Sequence, residues 1–351
     1  MKKNHILKIL SIFVSSILFS SIVLGCHSKK DESQAKASAE NKEITVYAYD
    51  SFLGEWGPGP EIKKVFEEKT GLTVNFVEFE DAISVMSKAI LEKDNPIADV
   101  IIGLDNNIAH RAIEADILES YKPSGADELI PQNLVSILGG DWKITPYDYS
   151  HFAIIYDTKS TLPAPESLDD LKNEIYRNSL ILMDPRTSTP GLGFVAWTVA
   201  TYGENYLDFW KELKPNILAM TPGWSSGYGM FEKGEAPMVI SYTTSPAAGI
   251  EYNGGTTFKT LIFDDGHPIQ VEGAAIIKNA KNLEGAKKFM DFLISDEAQK
   301  TLPLTQWMYP ANKNVALPPC YEQGAAIPEK TLTPNPKELE NAVEKIMETI
   351  K

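Results

Sequence analysis

A chain of 351 residues with a formal net charge of −15 lacks the basic footprint that nucleic acid requires. Its two cysteines exclude a disulfide framework. Once an N-terminal leader is set aside, roughly 300 residues remain, which suits two packed lobes better than one core.

In chain order, Lys2, Lys3 and Lys8 precede an apolar run over 9–24, followed by Gly25 and Cys26. The run is shorter than the ~20 residues of a membrane-spanning helix. A secretory signal is therefore expected over 1–25. Val23-Leu24-Gly25-Cys26 is similar to a bacterial lipobox, in which Cys26 becomes the lipid-carrying N-terminus. Residues 26–43 are charged and Ser/Ala-rich, the composition of a flexible tether. Cys320 is then a free thiol.

From Ile44 onward, short β-branched runs alternate with amphipathic stretches. Strands are expected over 44–49, 73–79 and 98–103. Between and after them come helices around Ile62, Val65 and Phe66, over 82–92 and over 107–115. A second set brings strands at 152–156, 180–183 and 238–242 and helices at 192–202 and 204–213. A strand-like segment over 269–278 precedes helices at 284–294 and 336–350. Strands separated by helices predict an α/β fold with mostly parallel sheets. Two such sets predict two lobes with a ligand cleft between them. The expected boundaries are 44–148 for the first lobe, with a return segment at about 272–351, and 149–271 for the second.

Residues suited to ligand chemistry gather at the predicted strand ends. Tyr49 and Trp56 flank the turn that leads into Gly57-Pro58-Gly59-Pro60. Ser188 and Thr189 stand before Pro190 at a helix start, where free N–H groups with hydroxyls make a ready anion seat. The same residues would also serve as an ordinary cap. Tyr242, Thr243, Thr244 and Ser245 carry a strand into a helix at Pro246, and Trp224 and Trp307 lie in loops. Loop aromatics can stack on a cationic heteroaromatic ring for about 0.5–2 kcal/mol per face. No phosphate-loop, HExxH, paired CxxC or G-x-S-x-G pattern is present, so no enzymatic chemistry is expected.

Taken together in order, several stretches carry a resemblance. They are Val46 to Phe52, Trp56 to Pro60, Ala98-Asp99-Val100, Gly103 to Asn107, Pro146 to Tyr149, Asp184 to Gly193, Gly223-Trp224-Ser225, Ser241 to Pro246, Gly266-His267, Gln270-Val271-Glu272 and Trp307 to Pro310. Over 44–320 the chain resembles the periplasmic thiamine-binding proteins of bacterial thiamine ABC transporters. The resemblance implies a two-lobed type II periplasmic-binding fold. Its ligand would be thiamine or its mono- or diphosphate, with no cofactor. The partners would be a membrane permease and its ATPase, and the receptor itself a monomer. It also implies ligand contacts at Asp81 and Ala82, Ser188 and Thr189, Trp224, Tyr242 to Ser245, and the aromatics Tyr49, Trp56 and Trp307.

Two positions depart from the family pattern. Ala248 stands where the family carries a tyrosine, with Tyr228 and Tyr252 as candidates to replace it, and Ala82 stands for a glycine. The alternative on the same fold is a receptor for a ferric ion or a polyamine.

Overall fold

The computed structural model describes residues 41–351, which form one compact unit from Asn41 to Lys351. The expected signal, Cys26 and most of the tether lie outside the described residues. The strands are β1 Glu43–Tyr49, β2 Thr73–Phe79, β3 Val100–Asp105, β4 Leu118–Glu119, β5 Thr145–Asp157, β6 Leu180–Met183, β7 Ile217–Thr221, β8 Met238–Tyr242, β9 Phe258–Leu261, β10 His267–Ile277, β11 Tyr309–Pro310 and β12 Thr331–Leu332. Their main path runs β2-β1-β3-β10-β5-β8-β6-β7.

In the first lobe, β1 lies parallel between β2 and β3. In the second, β6 lies parallel between β7 and β8. The central strands are covered on both faces, and β3 and β6 are buried along their whole length. The resulting architecture is the two-lobed α/β type II solute-binding fold.

Two long strands join the lobes. The first half of β5 pairs antiparallel with β10, from Thr145↔Ala274 to His151↔Ile269. Its second half pairs with β8, from Phe152↔Tyr242 to Tyr156↔Met238. β10 runs back between β5 and β3, and its register slips on either side of Gly273. A Cβ at Gly273 would lie 2.3 Å from Ile144, so glycine is what lets β10 bend there. Only 152–156 is expected as strand from the sequence, but the strand begins at Thr145 and takes in Pro146 to Tyr149. In the fold these residues are the crossover.

The terminal helix Pro336–Thr349, expected on the first lobe with the return segment, has its main packing elsewhere. Leu339, Ala342 and Ile346 are buried, and the helix packs on the helices Thr189–Tyr202 and Tyr206–Leu213 of the second lobe. It reaches the first lobe by ion pairs, Lys337 with Glu114 and Arg111 with Glu340. No helix of the described residues is long and apolar enough to cross a membrane.

Candidate functional site

The C-terminal ends of β1 and β2 face those of β7 and β8 across a cavity that is partly open to solvent. Tyr49, Trp56, Asp81, Ala82, Thr189, Trp224, Tyr242, Ser245 and Trp307 all line it. Of the expected contacts, Ser188, Thr243 and Thr244 stand behind the wall. Their backbone explains why. Thr243 N–H donates to the His151 carbonyl at 2.9 Å, and its own carbonyl accepts from Ala326 N–H at 3.1 Å. The Thr243 and Thr244 hydroxyls each lie 3.3 Å from Ser150 Oγ. They hold the turn together.

Tyr49 ends β1 and sits against β3 at Gly103, whose φ of +107° favours glycine. A Cβ there would lie 2.7 Å from the Tyr49 ring and 2.8 Å from Ala82. The glycine thus lets Tyr49 and the start of the helix Ala82–Leu91 meet beneath the cavity. The Tyr49 hydroxyl donates to Glu272 Oε2 at 2.7 Å and accepts from Gln306 Nε2 at 2.7 Å. Gln306 Oε1 is left buried with no donor among the described residues.

Trp224 opens the helix Trp224–Glu232 and is fixed from several sides. Its ring stacks on Tyr228 at 4.7 Å and 17°, and its indole N–H donates to Ser241 Oγ at 2.9 Å. Ser241 Oγ in turn bonds Ser245 Oγ at 2.8 Å. Across the cleft mouth, Trp56 of the first lobe approaches to 6.2 Å and stays 50% exposed. Trp307 follows the helix Leu302–Thr305 in the left-handed region, at φ +58°, and donates its N–H to Leu302 O at 3.0 Å. Glycine is the usual residue at such a helix end. A tryptophan there carries strain of about 1–3 kcal/mol, and the strained backbone turns its ring onto the cavity. Tyr252 backs that ring edge-on at 5.5 Å from outside, whereas Tyr228 lines the cavity itself beside Ala248.

The electrostatics are one-sided. Asp50, Glu80, Asp81 and Glu272 line the cavity, and among the described residues no lysine, arginine or histidine does. Asp81 crosses between the lobes. Its Oδ1 accepts from its own helix start at Ala82 N (2.8 Å) and from Thr189 N (3.0 Å) at the start of the opposite helix. The anion seat expected at Ser188 and Thr189 is thus filled by a carboxylate of the chain itself. Burial pushes Asp81 up to about 7 even so.

Tyr228, one of the two candidates to replace the missing aromatic, lines the cavity, and so do Glu272, Asp50, Glu80, Gln306 and Met308, none of which was expected as a ligand contact. For Glu272 a signal was available. It is the one acid in the run Ile269-Gln270-Val271-Glu272-Gly273-Ala274-Ala275-Ile276-Ile277, and an acid inside an apolar strand needs a reason.

The family model described as bacterial extracellular solute-binding protein matches residues 61–329. A thiamine-binding periplasmic protein of Brucella melitensis is 38% identical over 307 residues, covering 87% of this chain and 90% of that protein. The thiamine-binding periplasmic protein of Salmonella typhimurium is 39% identical over 299 residues, covering 84% and 88%. A solved periplasmic thiamin binding protein superposes with a TM-score of 0.81 at 35% identity, covering 88% of this chain and 96% of that one. With its fold, its interlobe cavity and a match that takes in most of both lobes, the chain belongs to the bacterial extracellular solute-binding protein family.

Proposed function

We propose that this chain is the receptor of an ABC importer, exported and held by lipid at Cys26, which closes on thiamine and delivers it to the permease and its ATPase. One observation carries the chemistry: among the described residues the cavity has aromatic walls, four acids and no base. A cationic heteroaromatic ring gains stacking and cation–π energy against such walls, while carboxylates oppose an anion. The buried, donor-free Gln306 Oε1 offers an acceptor for a ring amine. The names of the relatives at 38–39% identity support thiamine as that cation. Tyr228 takes the part of the aromatic missing at Ala248. Binding and release without covalent change complete the cycle.

Isothermal titration calorimetry on ligand-stripped protein tests this. Saturable one-to-one heat with thiamine is expected, and no heat from a folded sample would refute the assignment. The Asp81 bridge adds a ranking. A phosphate ester must displace that carboxylate from the Thr189 helix start, so thiamine should bind more tightly than its diphosphate. Asp81→Asn should narrow the gap by about tenfold, since juxtaposed like charges cost kilocalories. An unchanged ratio would mean that the phosphate lies elsewhere.

A further inference from the structure

The strands that join the lobes carry a carboxyl pair for which ligand stacking leaves no role. Asp148 on β5 is the direct cross-strand partner of Glu272 on β10, and both side chains are buried. Glu272 Oε2 accepts from Tyr49 Oη at 2.7 Å and from Tyr147 Oη at 2.6 Å, and the two hydroxyls lie 2.5 Å apart. Among the described residues no group donates to either oxygen of Asp148.

The other charged and titratable groups facing the pair are Tyr49 of β1, Asp105 of β3, Asp81 before the Ala82 helix, Tyr147 of β5, Tyr242 of β8 and Tyr321 of the helix Cys320–Gly324. None is a base. Asp105 is already satisfied by Gln270 Nε2 and by the amides of Asn107 and Ile108. Two adjacent buried carboxyls without a cation cannot both ionise, so the pair keeps a proton. The donors on Glu272 hold the negative charge there, and the donor-free Asp148 holds the proton.

We propose, building on the cationic ligand above, that Glu272 is the counter-charge for the captured cation and that Asp148 is its proton partner. Proton and ligand then compete for one site at the junction of the lobes. Burial and the neighbouring acids hold the Glu272 carboxyl above its ordinary range. As pH falls, Glu272 takes up a second proton, the pair becomes neutral and affinity is lost. As pH rises, the carboxylate returns and affinity recovers. A cation that binds in the titration range expels that proton into solution.

The test is calorimetry with thiamine at about pH 6 and about pH 8, each in two buffers of unlike ionisation enthalpy, on the wild type, Asp148→Asn and Glu272→Gln. Wild type should release a fraction of a proton per ligand at the lower pH and less at the higher. In Asp148→Asn the amide can donate to Glu272 and remove the like acid, so binding persists and the proton release drops, leaving only what Asp81 contributes. Glu272→Gln should lose about tenfold or more in affinity. The ligand's own aminopyrimidine titrates equally with all three proteins and cancels in their difference. Saturable heat with equal proton release from wild type and Asp148→Asn overturns the pair while leaving the receptor intact. No saturable heat from wild type overturns both.

Discussion

Trp224→Ala should weaken thiamine binding by about 30- to 100-fold, a loss of roughly 2–3 kcal/mol of the kind seen when a central aromatic is truncated. The size follows from how firmly the ring is held. One face stacks on Tyr228 at 4.7 Å, the indole N–H is bonded to Ser241, and Trp56 approaches across the mouth. A ring fixed in advance loses little freedom when the ligand arrives, so most of its contact energy reaches affinity. Truncation removes that surface and also frees Tyr228 and strands the Ser241–Ser245 pair. Trp224→Phe keeps a stacking face but not the N–H donor, and should lose only about 1 kcal/mol, that of one neutral hydrogen bond. Calorimetry on both variants, with far-UV circular dichroism to verify folding, checks this. An alanine variant binding as tightly as wild type would place the ligand away from the second-lobe wall.

Much of this wall could be read from the sequence, because an aromatic in a loop has no core to join. Trp56, Trp224 and Trp307 stand out for that reason, and Tyr49 and Tyr242 end strands that aim at the cleft. The parallel strands of each lobe were equally legible as buried β-branched runs. What could not be read was pairing across long separations. Asp148 and Glu272 meet only because β5 and β10 lie side by side, 124 positions apart in the numbering of their register. The Asp81–Thr189 bridge likewise depends on lobe closure over a separation of 108 residues. Thr243 and Thr244 are less legible. Their hydroxyls suggest ligand contacts, yet the turn uses them internally. Hydroxyl-rich strand ends suit capping and recognition alike, and only the surrounding backbone decides between them.

Gly193→Ala should destabilise the fold and weaken binding together, although alanine is the better helix former. In an exposed helix interior the exchange gains up to ~1 kcal/mol. At position 193 the new Cβ would lie 2.3–2.6 Å from three ring atoms of Phe152, closer than side chains tolerate. Phe152 is fully buried and has little room to withdraw, so overpacking of about 1–3 kcal/mol should outweigh the propensity gain. The melting temperature should fall by about 2–4 °C for each kilocalorie lost. Binding suffers because Phe152 packs at 5.4 Å on Tyr242, a wall of the cavity, and displacing one ring displaces the other. Gly229→Ala is the matched control, since its Cβ would meet nothing within 4 Å in the helix Trp224–Glu232. It should be neutral or stabilising. Trimming the ring in Gly193→Ala/Phe152→Leu should restore part of the stability, because the two positions share one contact and are not additive. If Gly193→Ala melted at or above the wild-type temperature, the approach of the Thr189–Tyr202 helix to β5 would have slack to spare. Gly193 could then not be what seats Tyr242.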